Sequence, residues 1–381
     1  MKTYFIKTIT LALSIIILYS CQNELDTYNE NPNEPTITNP SLLLVAMEVA
    51  TFYNHTAGVV RTASIFSQQL AGTNEGQLGA VSNYIINEAD VDNEWDTFYA
   101  NTLTNGYLLN KDFGNKFPYY NGMGQILTAI NLGYVTDMWG DVPFDEAFKA
   151  ENGIKAPKYN TQAEIYQRLQ STLDLAIENL KKPESSNTTL PGSDDFIFGG
   201  DTQKWIKIAY ILKARYALRL TEVDTNAAQK ALDYITAASI TSNDDDMNTF
   251  FTGTSTGLNQ WYSFEDNRTN YLKMGAFFVE NLKNNADPRL PFMVAKDAKK
   301  DYSGNTPEDQ SSTKTSYIGP GFASKASQIG IVTFAEAKFI EAEAKLRLSK
   351  TDIQTVLKEA INASILKTTG SEATTNFLEN A

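Results

Sequence analysis

Apolar residues recur every three or four positions over several long segments, and this spacing constrains the fold more than any other feature of the chain. Thr161 and Glu164 form a capping-box pattern that starts one such segment. The predicted helix behind it carries a single apolar face, formed by Ile165, Leu169, Leu173, Ala176 and Leu180. Strand signals are few and short, around residues 250–251 and 291–295. The sequence therefore predicts a mainly α protein with few short strands.

Further helices follow from the same spacing. Asn39 and Pro40 indicate a helix start, with the helix continuing toward Leu70 and interrupted near Gly58. Three more apolar series have helical spacing: Trp95, Phe98, Tyr99, Leu103 and Tyr107; Trp205, Ile208, Leu212 and Tyr216; and Val332, Ala335, Phe339, Ala342 and Leu346. Residues 353–366 are the predicted partner helix of the last series, and residues 72–87 and 185–200 are predicted loops. Ala-rich helices with one large residue per turn resemble tetratricopeptide pairs with long decorating loops, although no 34-residue repeat is legible.

The N-terminus has the layout of a secretory signal that ends at the only cysteine, Cys21. Lys2 and Lys7 precede an apolar run of about ten residues, which is too short to span a bilayer. A cysteine after the small Ser20 resembles the bacterial lipoprotein signal, in which the thiol is acylated. We therefore expect a signal peptide at 1–20, a flexible tether at 21–39 and a helical domain at 40–381. The alternative is an ordinary secreted protein whose one cysteine falls at this position.

Composition excludes several classes of function. A net charge of −13 argues against nucleic-acid binding and against binding of anionic lipid through a cluster of basic residues. With one cysteine, no intrachain disulfide can form. His55 is the only histidine, and it has neither a nucleophile motif nor a metal-spaced partner, so a structural role is expected. No nucleotide-binding glycine motif is present. The sequence predicts no cofactor and no metal.

Three segments together resemble the SusD/RagB-like outer-membrane lipoproteins. They are residues 131–144 with Asp137-Met138-Trp139-Gly140-Asp141, the Asp287-Pro288-Arg289 segment, and the Ala- and Glu-rich residues 334–344. Glu24 and Asp26 behind Cys21 fit the surface-export pattern of the same lipoproteins. The resemblance implies a tetratricopeptide-like binding protein that is lipid-anchored on the outer face of the outer membrane. Such a protein is a lid on a SusC-like TonB-dependent transporter; it captures an oligosaccharide, or in some members a peptide, and breaks no bond. Family members usually continue beyond the last helix pair, so the chain is interpreted as a C-terminally truncated member.

The candidate ligand residues are aromatic and amide side chains in polar stretches. Trp261 and Tyr262 lie among Gly, Ser, Thr and Asn residues, where a ring pair flanked by Asn267 and Arg268 suits a sugar or peptide platform. Asn83 and Tyr84 are a second candidate pair in the loop predicted at 72–87. The alternative for Trp261 and Tyr262 is that the two rings anchor a long loop to the core.

Two acidic motifs allow other interpretations. Asp137 and Asp141 flank a tryptophan, as a glycosidase acid and base would, but Gly140 and Pro143 indicate a turn after a helix in which Asp141 bonds backbone. A secreted glycoside hydrolase therefore stays a rival hypothesis to binding. Residues 243–246 (Asn-Asp-Asp-Asp) contain clustered oxygens suited to Ca²⁺, but they lack the calcium-loop order, so a solvated loop or helix cap is favoured.

Overall fold

The computed structural model describes residues 38–311 and 313–380, and helices dominate this part of the chain. The signal peptide, Cys21 and most of the tether lie outside the described residues. In chain order the first half contains α1 (Pro40–Thr56), α2 (Gly58–Phe66), β1 (Leu70–Gly72), α3 (Leu78–Ser82), α4 (Asp92–Asp96), α5 (Thr104–Leu108), α6 (Pro118–Trp139), β2 (Val142–Pro143), β3 (Tyr159–Asn160) and α7 (Gln162–Leu180). The second half contains α8 (Thr202–Leu218), α9 (Ala227–Ala238), β4 (Met247–Asn248), α10 (Gln260–Asn267), β5 (Leu272–Met274), α11 (Ala276–Asn284), α12 (Leu290–Met293), β6 (Gly330–Val332), α13 (Phe334–Arg347), α14 (Ile353–Thr369) and α15 (Thr375–Asn380).

Consecutive long helices pack in pairs: α6 with α7, α8 with α9, and α13 with α14. All of these helices except α14 contribute side chains to the larger of two hydrophobic cores in the described part of the chain. The capping box at Thr161 and Glu164 is present, and the whole apolar face predicted behind it is buried. The predicted series on α8 is buried as well, with Trp205 and Tyr216 among the largest buried side chains. The prediction of a mainly α fold built from tetratricopeptide-like helix pairs is therefore confirmed.

The apolar face predicted for α13 is wrong in part. Phe339 and Leu346 are 41% and 62% exposed, whereas the small residues of this helix are buried: Ala335, Ala337, Ala342 and Ala344. Alanines allow the neighbouring helices α9 and α14 to approach closely, so the two large side chains point outward. Val332 belongs to strand β6 and not to the helix.

Three two-stranded antiparallel sheets connect distant parts of the chain: β1 with β5, β2 with β3, and β4 with β6. The strand predicted at 250–251 is wrong, because the strand lies earlier, at Met247–Asn248. The strand predicted at 291–295 is largely a helical turn, α12, since Pro291 suits the first helical positions. Only Val294 at its end forms a bridge, to Ile318.

A smaller second core lies around the β1–β5 sheet. Helix α3 belongs to it through Leu78 and Val81, which corrects the prediction that 72–87 is an exposed loop. Trp261 of α10 is buried in the same core. The break near Gly58 is confirmed, since α1 ends at Thr56 and α2 begins at Gly58. In the described part of the chain, no helix combines the length and the apolarity needed to cross a membrane.

Candidate ligand-binding cleft

A cleft of about 640 Å³ is lined by four segments of the chain. They are the junction of α1 and α2, helix α3, the polar residues 88–97, and helix α10 with the loop that follows it. The smaller core packs behind three of these segments, because Ile65 of α2, Leu78 of α3 and Trp261 of α10 all belong to it. The cleft is therefore assembled on rigid elements although its lining is polar.

Helix α10 is fixed at its start by Asn259, which is fully buried. The side-chain oxygen of Asn259 accepts hydrogen bonds from the backbone N–H groups of Trp261 (2.9 Å) and Tyr262 (3.1 Å), and its amide donates to the Ser327 carbonyl (2.7 Å). This cap sets the rotation of the helix. As a result, the side chains at helical spacing that line the cleft are Gln260, Ser263, Phe264 and Asn267.

Two arginines flank an aromatic ring in the cleft. The guanidinium carbon of Arg61 lies 4.2 Å from the centroid of the Phe264 ring, and that of Arg268 lies 5.7 Å from the same centroid. Burial lowers the pKa of Arg61 from its usual value, while the negative charge of Glu94 raises it. Arg61 stays cationic at neutral pH because an arginine pKa begins so high. The pair presents fork-shaped hydrogen-bond donors beside an apolar ring.

The residues at 88–97 contribute carboxylates and an amide: Asp90, Asn93, Glu94 and Asp96. A side-chain oxygen of Glu94 occupies the space next to Gly58, because a Cβ built on Gly58 would lie only 1.5 Å from it. Tyr53 and Tyr271 add two more rings to the lining. The cleft thus combines rings, hydrogen-bond donors and hydrogen-bond acceptors. These are the groups that bind a polyhydroxylated or peptide-like ligand.

Comparison with known proteins identifies the class of the chain. A family model described as "Starch-binding associating with outer membrane", SusD-like, matches residues 32–381. The chain belongs to the SusD-like family. This confirms the resemblance based on residues 131–144, the Asp287-Pro288-Arg289 segment and residues 334–344.

Solved structures agree with this assignment of the SusD-like chain. A SusD/RagB family protein from Bacteroides thetaiotaomicron is 27% identical, with a TM-score of 0.75 over 87% of this chain and 72% of that one. A chitin-binding SusD homolog from Flavobacterium johnsoniae is 21% identical, with a TM-score of 0.73 over 88% of this chain and 72% of that one. At that identity the second likeness shows the fold alone. No curated protein matches the chain significantly.

The structure places two of the predicted ligand residues of the SusD-like chain in the cleft and separates the others from it. Asn267 and Arg268 line it. Trp261 does not lie in a loop: it is on α10, and its ring is 6% exposed and packed in the smaller core. Tyr262 is half-buried, with the Lys325 ammonium 5.7 Å from its ring centroid, and it does not line the cleft.

Asn83 and Tyr84 also lie outside the cleft. Asn83 is the exposed C-cap of α3, and Tyr84 lines a separate groove at the end of that helix. Sequence reasoning missed Arg61, Glu94 and Phe264. Of these, Phe264 has a signal in the sequence, because it shares a helical face with Gln260 and Asn267.

The two carboxylates of the motif at 137–141 serve the backbone and an ion pair. Asp137 pairs with Arg219 and accepts a hydrogen bond from the Tyr166 hydroxyl at 2.7 Å. Asp141 accepts from the backbone N–H of Gln162 at 2.8 Å, so it bonds backbone as predicted, but that backbone is the first turn of α7 and not the turn after α6. Gly140 has φ +78° directly after α6 ends, as the turn interpretation requires.

The acidic run at 243–246 is engaged in ion pairs. Asp245 pairs with Lys207 at 2.9 Å, and Asp246 pairs with Lys367 at 2.6 Å. Within residues 38–311 and 313–380, no group of His, Cys, Asp and Glu side chains is arranged to hold a metal ion. The run forms a short 3₁₀ turn capped by Ser242 and not a calcium loop.

Proposed function

We propose that this SusD-like protein captures an oligosaccharide in the cleft at α10. The observation that carries the proposal is one cavity lined by the Phe264 ring, by the guanidinium groups of Arg61 and Arg268 close to that ring, by the amide of Asn267 and by the carboxylate of Glu94. A sugar has an apolar C–H face that packs on a ring and hydroxyls that pair with guanidinium, amide and carboxylate groups. The arrangement meets both needs of such a ligand.

Relatives support a carbohydrate in particular. The family description names starch binding, and two of the structural neighbours are described as chitin-binding. The peptide alternative, capture of a peptide as in RagB-like proteins, uses the same donors and acceptors and is an outcome of the test below. The described residues do not favour the hydrolase alternative, because its two candidate carboxylates make structural contacts. Asp141 bonds the first turn of α7, and Asp137 at the end of α6 pairs with Arg219 at the end of α8.

Capture is the first step of uptake in this proposal. The chain begins with a signal peptide at 1–20, is acylated on Cys21, and uses residues 21–39 as a tether to the outer membrane with the domain facing the exterior. Its partner is a SusC-like TonB-dependent transporter, to which it delivers the oligosaccharide unchanged. No cofactor takes part.

Affinity electrophoresis of the purified protein in gels containing different neutral polysaccharides tests ligand capture. At least one gel is expected to retard the wild type, and Arg268→Ala and Asn267→Ala are each expected to weaken that binding about tenfold. Arg347→Ala is the control, because Arg347 is exposed and pairs with Glu343 away from the cleft. Retention on a peptide pool with no retardation in any glycan gel would replace the oligosaccharide by a peptide.

Two further measurements address delivery and the hydrolase alternative. Cys21→Ser should release the protein from the membrane and abolish uptake, while the purified variant keeps its retardation in glycan gels. Oligosaccharide turnover that disappears in Asp141→Asn would establish the hydrolase instead.

A further inference from the structure

A second groove of about 280 Å³ lies at the C-terminal end of α3, where Ser82 and Tyr84 line it. We call it the Tyr84 groove and define it by the side chains of Gln68, Tyr84, Phe277, Glu280 and Glu308. Two of these are large rings that are mostly exposed, Tyr84 at 59% and Phe277 at 64%. Two exposed rings in one concavity are unusual for a surface that has no ligand to bind.

The ring of Tyr84 is held in one orientation. Its hydroxyl donates to the Phe66 carbonyl at 3.0 Å, and its ring stacks on that of Phe66 with centroids 4.9 Å apart and planes 22° apart. Because one side of the ring is packed in this way, the exposed side is presented to the groove at little entropic cost. A pre-oriented ring is the element that a stacking site requires.

The backbone under the groove is strained at two residues. Tyr84 has φ +59° and ends α3 in a Schellman arrangement, with its N–H bonded to the Val81 carbonyl (2.9 Å) and the next N–H, of Ile85, bonded to the Ala80 carbonyl (3.0 Å).

Gln68 repeats this geometry at the end of α2. Its φ is +56°, its N–H bonds to the Ile65 carbonyl (2.9 Å), and the N–H of Gln69 bonds to the Ser64 carbonyl (2.9 Å). Glycine normally occupies this left-handed position because a Cβ is unfavourable there. Two helices therefore end in large side chains where glycine would be less strained, and both side chains line the same groove. Such strain persists where the side chain itself is needed.

The chemistry of the Tyr84 groove indicates its ligand. Phe277 and Glu280 are three residues apart on α11, so a ring and a carboxylate share one face of that helix. Glu308 adds a second carboxylate, Gln68 adds an amide, and no lysine or arginine occurs among the described residues that line the groove. We propose that the Tyr84 groove is a second carbohydrate subsite that binds one neutral sugar ring. Its volume of about 280 Å³ lies just below the usual range for ligand pockets, which suits a single sugar ring, and its carboxylates repel an acidic sugar.

This inference rests on the proposed function, because the sugar unit belongs to the glycan chain held in the cleft. Helix α3 supplies Gln77, Leu78 and Val81 to the cleft, and its end supplies Ser82 and Tyr84 to the groove. A single short helix thus carries residues of both sites. Binding is expected to strengthen with the length of the oligosaccharide until the chain reaches both, as for any two linked sites.

Calorimetric titration with a length series of one neutral oligosaccharide, chosen from a gel that retards the wild type, tests the subsite. Tyr84→Gly and Phe277→Ala are each expected to weaken binding of the long members at least threefold, and to leave the shortest member unchanged. Tyr159→Ala is the matched control, because Tyr159 is also 63% exposed but lines neither site. Tyr84→Gly should keep a cooperative melt, because glycine suits the left-handed position.

The outcomes separate the two proposals. Long oligosaccharides that bind Tyr84→Gly and Phe277→Ala as tightly as wild type, while Arg268→Ala weakens them, overturn the subsite and leave the cleft proposal standing. If Arg268→Ala binds long oligosaccharides as tightly as wild type while Tyr84→Gly and Phe277→Ala bind them more weakly, the cleft proposal is overturned and the groove remains a sugar site. If the groove variants weaken the binding of neutral and uronic-acid oligosaccharides equally, the assignment to a neutral sugar is overturned. It is also overturned if these variants lose binding of a lysine-rich peptide and keep all oligosaccharide binding.

Discussion

Replacing Glu48 by glutamine is expected to stabilise the protein, and to do so more strongly as the pH rises. Glu48 lies on α1 and is fully buried. One carboxyl oxygen accepts the Phe196 N–H at 2.9 Å, and the other has no hydrogen-bond partner among the described residues. Burial, reinforced by the negative charges of Asp195 and Asp194, raises the pKa of Glu48 to about 10.

The size and sign of the effect follow from proton binding. Between pH 4.5 and 10 the folded state keeps the Glu48 proton, while the unfolded chain loses it above the usual pKa of 4.5. The unfolded state therefore binds fewer protons, and the free energy of unfolding falls by about 1.4 kcal/mol per pH unit in this window. Glutamine keeps an oxygen for the Phe196 N–H and has no proton to lose. Its advantage over glutamate should grow by about 3 kcal/mol from pH 5 to pH 7.

Urea unfolding of wild type and Glu48→Gln at pH 5, 6, 7 and 8 measures this difference directly. Titrations elsewhere in the chain are common to both proteins and cancel in the comparison. Glu222→Gln is the control for the removal of one carboxylate, since Glu222 is exposed. A difference between Glu48→Gln and wild type that stays constant with pH, with unchanged urea dependence, would refute a buried protonated carboxyl at this position.

Three further predictions concern His55, Asn259 and Asp137. The ring N–H of His55 donates to the Gly330 carbonyl at 2.8 Å, and burial lowers the pKa of this histidine to about 4. Below pH 6.5 the folded state therefore binds fewer protons than the unfolded state. The contribution of His55 to the free energy of unfolding should therefore fall as the pH drops from 6.5 to 4, so wild type should lose up to about 3 kcal/mol relative to His55→Gln over this range. Urea unfolding of both proteins measures the difference, and a difference that stays constant with pH contradicts the prediction. Asn259→Ala should lower the free energy of unfolding by about 2 kcal/mol and weaken glycan retardation in the same preparation, because it removes the cap of α10. Asp137→Asn should cost about 1 kcal/mol through its partly exposed pair with Arg219 and leave glycan binding intact, so a loss of binding would place Asp137 in the site.

Elements whose signals are local could be predicted from the sequence. The capping box at Thr161 and Glu164 satisfies backbone donors within one turn, so it marks the start of α7 whatever packs against it. Pro40 marks the start of α1 in the same way. A regular apolar face long enough to bury, such as that of α7, leaves little choice about which side meets the core.

Elements whose packing depends on distant partners could not be predicted. On α13 the apolar content lies on both sides, in Phe339 and Leu346 as well as in the alanines. Hydrophobicity favours the large residues for burial, but where α9 and α14 approach α13 closely, four alanines and Ile340 are buried while Phe339 and Leu346 are left outside. The short strands have the same difficulty, because Met247 and Val332 acquire strand geometry only by pairing with each other.

Which side chains of α10 line the cleft depends on the rotation of this helix in the tertiary structure. Each residue on a helix is rotated about 100° from the one before it, so on α10 Gln260 faces the cleft while Trp261 faces the core. The sequence near Trp261 shows aromatic and amide residues together but does not reveal the rotation that separates them. That rotation is set by the Asn259 cap, and the cap is held by the Ser327 carbonyl, far along the chain. The sequence does not reveal that Trp261 packs in the smaller core, because the contact that orients it is not local, whereas Asn267, about two turns later on the same helix, lines the cleft.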